Sequence, residues 1–270
     1  MTVIENRFKD KVIVITGAAG GIGKACAVRA AKEGAKLILG DKKEAMSKAT
    51  LKELKEITSE VDFLIGDLCQ EENCVRLIDT AIQRYGRIDI LINNAGITGT
   101  PAPIDQISEE MFRHVLDTNI MIAFYCSKKA LPFMMEKKEG NIINVSSVAG
   151  INGFPGHSAY VTSKHGLNGL TRNMALDYAP YNIRVNAINP GTTNTPMYDE
   201  ALAFLKEKRE AIKEGKTEQR EPAIQMKTVS PQSRVASADE VANGILFLAS
   251  EEASNITGVC LPIDGGFTAF

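Results

Sequence analysis

Two side chains four residues apart are the strongest candidates for chemistry in this 270-residue sequence. Tyr160 and Lys164 fall in a segment with helical spacing, and residues four apart lie on one face of a helix. A free tyrosine ionises at about pH 10, so it is a poor base at neutral pH. A neighbouring ammonium stabilises the phenolate and makes reversible proton transfer feasible, which indicates a general acid/base at Tyr160. The same spacing is common on helix surfaces, so this interpretation depends on the residues around the pair.

A serine before this helix supplies a second candidate. Ser147 follows the apolar run Asn141–Val145 and would lie at the carboxyl end of a strand. Its hydroxyl can hold a substrate oxygen against Tyr160 and stabilise the charge that develops on that oxygen. Ser146 is the adjacent alternative, and either serine can also be an ordinary turn hydroxyl.

A glycine-rich turn follows the first β-branched run. The segment 16–23 reads TGAAGGIG and precedes a helical pattern. Glycine has no Cβ, so the backbone can approach a pyrophosphate, and the free N–H groups at a helix N-terminus favour an anion. An ordinary turn is the alternative for a motif of this kind on its own. The strand–turn–helix order predicts phosphate contacts from Gly17, Gly20, Gly21, Ile22 and Gly23.

An acidic residue at the end of the second strand bears on the choice of cofactor. Asp41 comes about 20 residues after the glycine-rich turn, where a carboxylate can bind the hydroxyls of an adenosine ribose. It would repel a 2′-phosphate about 4 Å away by roughly 4 kcal/mol at an effective dielectric constant of about 20. This predicts NAD rather than NADP. Lys42 and Lys43 follow directly, and they either soften that repulsion or are simply solvated lysines.

The elements that must position these residues alternate between strand and helix. Nearly continuous apolar strands predict a doubly wound α/β fold of the Rossmann type, with a mostly parallel seven-stranded sheet and helices on both faces. In such sheets ligands bind beyond the carboxyl ends of the strands, where the motifs above fall. The predicted strands are Val12–Thr16, Ala35–Leu39, Val61–Ile65, Ile88–Asn93, Asn141–Val145, Ile183–Ile188 and Val259–Ile263. The predicted helices include Ile22–Glu33, Glu72–Tyr85, Met111–Lys137 and Tyr160–Tyr178.

The sequence predicts a single domain over residues 1–270, because it has no internal repeat and no linker rich in Pro and Ser. A densely charged stretch interrupts the regular alternation near the C-terminal side. We interpret residues at about 196–232 as a helical substrate lid, and a solvated surface helix is the alternative.

Composition favours a small-molecule ligand over a macromolecule. A formal net charge of −2 supplies no basic field for nucleic acid or an anionic membrane. There is no apolar stretch of signal-peptide or membrane-spanning character, which predicts a cytoplasmic protein without a membrane partner. The five cysteines lack C-x-x-C spacing and the three histidines lack metal-ligand spacing, so we expect reduced thiols and no metal site.

Taken together, these motifs resemble those of the short-chain dehydrogenase/reductase family. The resemblance extends from about Asp10 to Gly266, and the motifs occur in the order found in that family. They are T-G-x-x-x-G-x-G at Thr16–Gly23, Asp67-Leu68, N-N-A-G at Asn93–Gly96, Asn119, Ser147, Tyr160-x-x-x-Lys164, Pro190-Gly191 and Asp264-Gly265-Gly266.

The resemblance implies a role for each matched residue. Tyr160 would be the general acid/base, Ser147 would position the carbonyl or hydroxyl, and Lys164 would also bind the nicotinamide ribose. Asn119 would hold a water in a proton relay, and Thr195 would bind the nicotinamide carboxamide; simple capping or turn roles are the alternatives for both. The implied cofactor-binding set is Gly17, Gly20, Gly21, Ile22, Gly23, Asp41, Asp67, Leu68, Asn94, Ala95, Gly96, Tyr160, Lys164, Pro190, Gly191, Thr193 and Thr195.

Two of these cofactor positions bear on adenosine recognition. Asp67 would bond the adenine amine or act only as a strand-end cap. Gly20 stands where NADP-preferring members of the family often carry a basic residue, which agrees with Asp41.

The resemblance implies an NAD-dependent oxidoreductase that interconverts a secondary alcohol and a ketone by hydride transfer, with a cyclic or bulky small-molecule substrate. Family members are usually homotetramers built by pairing the two long helices, and we expect the same here. An NADPH-dependent 3-oxoacyl-carrier-protein reductase is an alternative, against which Asp41 and Gly20 argue. A non-catalytic, cofactor-binding regulatory protein is an alternative of another class.

Overall fold

The computed structural model describes residues 3–213 and 230–269. In chain order its strands are β1 Val12–Thr16, β2 Lys36–Asp41, β3 Val61–Ile65, β4 Ile90–Asn93, β5 Gly140–Val145, β6 Ile183–Pro190, β7 Thr193–Asn194, β8 Ala236–Ser237 and β9 Cys260–Ile263. Seven of them form one parallel sheet in the order β3-β2-β1-β4-β5-β6-β9, and the short strands β7 and β8 pair separately.

Eight α-helices connect and cover these strands in the described residues. They are α1 Gly21–Lys32, α2 Glu44–Lys55, α3 Glu71–Tyr85, α4 Glu109–Leu116, α5 Ile122–Lys137, α6 Ser158–Tyr178, α7 Pro196–Lys213 and α8 Ala238–Ala249. The predicted doubly wound fold is therefore confirmed. No helix in the described ranges is long and apolar enough to cross a membrane.

The core lies on both faces of the sheet, which explains the uninterrupted apolar strands. In β1, Ile13 and Ile15 belong to the apolar cluster that packs against α1 and α8. Val12 and Val14, which alternate with them, belong to the cluster on the opposite face, against α3 and α5. Successive side chains of a strand point to opposite faces, so a sheet covered on both sides needs apolar residues at every position.

The path of the chain creates a crevice between β1 and β4. From β1 the chain moves outward through β2 to β3, then returns to β4 and continues outward in the other direction. Such a reversal of strand order leaves an opening at the carboxyl ends of the two central strands, where doubly wound proteins bind ligands. The glycine-rich turn after β1 and the residues after β4 lie at this opening.

Two predicted segments differ from the structure by more than a shift of their end residues. The predicted helix Met111–Lys137 consists of α4 and α5, separated by a π-helical turn at Asp117–Met121. The segment predicted to be a lid begins with helix α7, and its residues 214–229 lie outside the described residues. Its action as a lid stays a prediction.

Candidate active site

The glycine-rich turn is shaped by close backbone contacts. Gly17 and Gly21 have φ angles of +66° and +55°, a region in which residues with a Cβ are strained. A Cβ atom on Gly23 would lie 2.4 Å from the Gly17 carbonyl oxygen, so only glycine allows α1 to begin so close to the turn. Gly20 is the N-cap of α1 and Ile22 is in its first turn, which places all five predicted phosphate-binding residues at this helix N-terminus.

The end of β4 braces this turn. The Asn94 side-chain amide donates to the carbonyl oxygens of Thr16 and Gly17, each over 2.9 Å. The Thr16 hydroxyl accepts from the backbone N–H groups of Asn94 and Ala95, each over 3.0 Å. Asn94 and Ala95 therefore lie against the turn, and Asn94 uses its side chain to hold it.

Asp41 is fixed beside the same turn. Its Oδ2 atom accepts from the N–H of Ala19 over 3.0 Å, and its Oδ1 atom accepts from the N–H of Lys43 over 2.9 Å. A carboxylate oxygen has two lone pairs, so both oxygens keep acceptor capacity. The carboxylate is thus oriented before any ligand binds.

Asp67 and Leu68 follow the neighbouring strand β3. The N–H of Gly66 donates to the Asp41 carbonyl oxygen over 3.0 Å, which brings the ends of β2 and β3 side by side. The exposed Asp67 carboxylate accepts from the N–H of Cys69 over 3.1 Å, and Leu68 is buried in the core. Asp67 thus forms the strand-end cap considered above, and it also lies beyond the carboxyl ends of the strands, as Asp41 does.

Tyr160 and Lys164 lie at the start of α6, one turn apart. The Lys164 ammonium is 5.6 Å from the centre of the Tyr160 ring and donates to the Val145 carbonyl oxygen at the end of β5 over 2.9 Å. Burial lowers the pKa of Lys164 to about 8, because desolvation penalises the ammonium. Burial also raises the pKa of Tyr160, while a hydrogen bond with the Ser147 side chain lowers it.

The geometry distinguishes the two adjacent serines. The Ser146 hydroxyl donates to the Lys164 carbonyl oxygen over 3.1 Å and so serves the packing of α6. The Ser147 hydroxyl faces Tyr160 and also accepts from the N–H of Ala149 over 3.0 Å. Asn189 holds the Ser147 backbone by donating to its carbonyl oxygen over 2.6 Å. Of the two candidates, Ser147 is the one placed beside the phenol.

Asn119 lies in the π-helical turn, an irregularity that is frequent at functional sites. Its side chain accepts from the N–H of Ile97 over 2.8 Å and donates to the Ile97 carbonyl oxygen and to the Ser163 hydroxyl, each over 2.9 Å. A Cβ on Gly96 would lie 3.1 Å from the Asn119 Oδ1 atom and 3.4 Å from the Lys164 Nζ atom. Asn119, Gly96 and Lys164 therefore meet at one point. Ser163 is a part of this cluster that no sequence motif indicated.

The turn after β6 closes against the glycine-rich turn. Pro190 ends β6, and the N–H of Gly191 donates to the Ile263 carbonyl oxygen over 3.0 Å. The buried Thr193 hydroxyl donates to the Gly191 carbonyl oxygen over 3.0 Å. A Cβ on Gly21 would lie 3.3 Å from the Thr195 Cγ2 atom, so Thr195, which directly precedes α7, lies against the glycine-rich turn.

A cavity of about 370 Å³ lies beside this site. Val148, the residue after Ser147, lines it together with Gly191 and the two aromatic side chains Phe154 and Phe267. The two rings stack with their centres 5.9 Å apart. Phe267, near the C-terminus, was not singled out from the sequence, because only the fold brings it to Phe154.

The comparisons with known proteins agree on one family. A family model described as short chain dehydrogenase matches residues 11–205. The 3beta-hydroxysteroid dehydrogenase of Mediterraneibacter gnavus is 36% identical over 99% of this chain and 98% of its own length. The levodione reductase of Leifsonia aquatica is 36% identical over 97% and 96%. A 3-oxoacyl-[acyl-carrier-protein] reductase of Thermotoga maritima is 39% identical over 96% and 98%. A crystal structure of levodione reductase superimposes with a TM-score of 0.88, covering 97% of this chain and 99% of that one.

We expect the Lys164 amine to lose its proton near pH 8 in the cofactor-free protein, since burial lowers its pKa to about 8. It is an ammonium below that pH and a neutral amine above it. NMR of protein carrying 13Cε-labelled lysine, recorded from neutral to alkaline pH, would follow the titration, and Lys164→Arg would assign the resonance. A midpoint at the usual lysine value of about 10.4 would contradict the desolvation argument.

Proposed function

This chain belongs to the short chain dehydrogenase family, and from that premise we propose that it transfers hydride between NAD and a cyclic secondary alcohol or ketone. It is an oxidoreductase that interconverts a secondary alcohol and a ketone at a CH–OH group. The observation that carries the proposal is the cluster of Ser147, Tyr160 and Lys164 at the carboxyl end of β5. In a parallel sheet this is the same end as that of β2, where Asp41 lies.

The catalytic roles that the family resemblance implies are compatible with this cluster. Bound NAD supplies or accepts the hydride. In the reducing direction, the Ser147 hydroxyl donates a hydrogen bond to the ketone oxygen, and the Tyr160 Oη atom gives that oxygen its proton. The Lys164 ammonium stabilises the phenolate that remains. Asn119 positions a water that returns a proton from solvent, which is consistent with its place beside Lys164.

The residues around the crevice fit a dinucleotide. The turn at Gly17, Gly20, Gly21, Ile22 and Gly23 would let a pyrophosphate come close to the backbone, because four of these five residues lack a Cβ atom. Asp41 would bind the adenosine ribose and Asp67 the adenine amine, with Leu68 beside them and the turn of Asn94, Ala95 and Gly96 as a wall of the adenosine site. Lys164, next to Tyr160, would bind the nicotinamide ribose, and Thr195 would bind the nicotinamide carboxamide. Pro190, Gly191 and Thr193 complete the proposed cofactor-binding set.

A cyclic substrate is supported by the cavity and by two relatives. Ligand pockets usually have volumes of about 300–1,000 Å³, and the cavity of about 370 Å³ suits a compact ring system. The stacked rings of Phe154 and Phe267 offer it a flat apolar wall. One relative is named for a hydroxysteroid and another for levodione. The reductase of 3-oxoacyl-carrier-protein is less well supported, because Asp41 and Gly20 disfavour the 2′-phosphate of NADPH.

We also propose a cytoplasmic homotetramer. All five cysteines lie within the described residues and are free, as is usual in a reducing compartment. Phe124 on α5 and Leu176 on α6 expose large apolar side chains, and Leu176 is 79% exposed. Apolar side chains exposed on these two helices support their pairing between subunits.

We expect Tyr160→Phe to lower kcat by about 10²–10⁴-fold, because the phenylalanine has no proton to transfer. Binding of NADH, measured by fluorescence, should persist. Tyr181→Phe is the matched control, since Tyr181 is an exposed residue beyond the end of α6. Turnover close to that of the unmodified enzyme in Tyr160→Phe would show that the proton comes from another group.

We expect the enzyme to use NAD with a kcat/KM more than about 100-fold above that for NADP, because of the charge on Asp41. Asp41→Asn should lower the ratio of kcat/KM for NAD to kcat/KM for NADP, mainly by raising kcat/KM for NADP. Steady-state kinetics with both cofactors measure the ratio, and Asp62→Asn, which removes an exposed carboxylate near the amino end of β3, is the control. A higher kcat/KM with NADP in the unmodified enzyme would refute the proposed cofactor.

We expect Phe267→Ala to lower kcat/KM for cyclic secondary alcohols by about tenfold, because it removes one wall of the cavity. Cyclohexanol and a hydroxysteroid are suitable test substrates, and 2-propanol, which is too small to reach that wall, is the comparison. Phe267→Tyr keeps the ring and should keep the preference. An equal loss for 2-propanol would place Phe267 outside the substrate pocket.

A further inference from the structure

Helix α7 touches both the glycine-rich turn and the loop after Asp41. At its start, the Pro196 Cγ atom lies 3.8 Å from the position that a Cβ on Gly20 would occupy. About one turn further along, the Glu200 Oε1 atom lies 3.1 Å from the Lys43 Nζ atom. One helix therefore extends from the proposed pyrophosphate site to the proposed ribose site.

Lys43 is hydrogen-bonded to Asp41, the carboxylate proposed to bind the ribose. Its backbone N–H donates to the Asp41 Oδ1 atom over 2.9 Å, so the backbone of Lys43 lies beside the carboxylate that is proposed to bind the ribose. A lysine ammonium at this place would attract a 2′-phosphate and offset the repulsion from Asp41. The ion pair with Glu200 instead directs this ammonium to α7 and cancels its charge.

We propose that Glu200 is a coenzyme-specificity residue: by pairing with Lys43, it withholds the cation that would otherwise bind the 2′-phosphate of NADP. This inference rests on the proposed NAD dependence, and it adds a residue from α7 to the discrimination made by Asp41. Removing the Glu200 charge has two effects in the same direction, because it releases Lys43 and also removes a negative charge near the ribose.

The size of the effect is limited by solvent. The side chains of Lys43 and Glu200 are 48% and 67% exposed, and exposed pairs are screened by water and salt. Asp41 stays the main determinant, and Glu200 modulates it. We therefore expect a change of severalfold in cofactor preference and a clear dependence on ionic strength.

The experiment compares kcat/KM for NADP with kcat/KM for NAD in single and double variants at low salt. We expect Glu200→Gln to raise the NADP/NAD ratio by up to about fivefold, the upper end of what an exposed ion pair contributes. Glu210→Gln is the matched control, because it removes the same charge about 15 Å further along α7 and should leave the ratio unchanged. Melting temperatures of all variants verify that they are folded.

A double-mutant cycle identifies the cause. In the Lys43→Met background, Glu200→Gln should change the ratio by less than about twofold, because Lys43 is no longer there to be released and only the loss of the Glu200 charge itself still acts. At about 1 M NaCl the Debye length is about 3 Å. The increase in the NADP/NAD ratio that Glu200→Gln causes in the protein with Lys43 intact should then largely disappear.

Two results would overturn the inference. One is a change in Glu200→Gln no larger than that in Glu210→Gln, and the other is an equal gain with and without Lys43. A preference of the unmodified enzyme for NADP would overturn the proposed NAD dependence separately. The comparison of Glu200→Gln with Glu210→Gln would still decide the role of Glu200 in that case.

Discussion

The burial of the Lys164 ammonium against the Val145 carbonyl oxygen constrains everything around it. Desolvation penalises the ammonium and, next to it, the Tyr160 phenolate, so it lowers the pKa of Lys164 and raises that of Tyr160. A phenolate at Tyr160 and an ammonium at Lys164 would each offset part of the desolvation cost of the other, because a nearby opposite charge favours the charged form. The fold makes room for this pair where β5 ends, where Gly96 lacks a Cβ, and where α6 begins.

Much of the fold could be predicted because burial on both faces leaves a strong pattern in the sequence. The bounds of β1 and β3 agree residue for residue with the predicted strands, since turns delimit their apolar runs. Helix α2 was not predicted, because its buried residues are only Ser47, Thr50 and Leu54, which form no apolar stripe. Helix α8 was also missed, although the capping box of Ser237 and Glu240 is a signal that could have found it.

The site was predictable where its geometry is local. The spacing of Tyr160 and Lys164 on one helix needs no tertiary information, and the structure places them one turn apart. The choice between Ser146 and Ser147 does need it, because adjacent side chains in an extended segment point in opposite directions. The π-helical turn around Asn119 is likewise invisible to periodicity, since it alters the helical hydrogen bonding over only a few residues.

The cofactor and proton-transfer groups depend on a different kind of structure from the cavity proposed to bind the substrate. Most of the groups that would bind the cofactor and move the proton lie at strand ends or on the first turns of helices, and Asn119 lies in the π-helical turn between α4 and α5. The cavity beside them is lined mostly, though not entirely, by loop residues, among them Phe154 after β5, Gly191 after β6 and Phe267 after β9. Loops accept substitution more readily than the elements they connect. The size and polarity of the substrate can therefore change in this fold while the geometry of hydride and proton transfer stays the same.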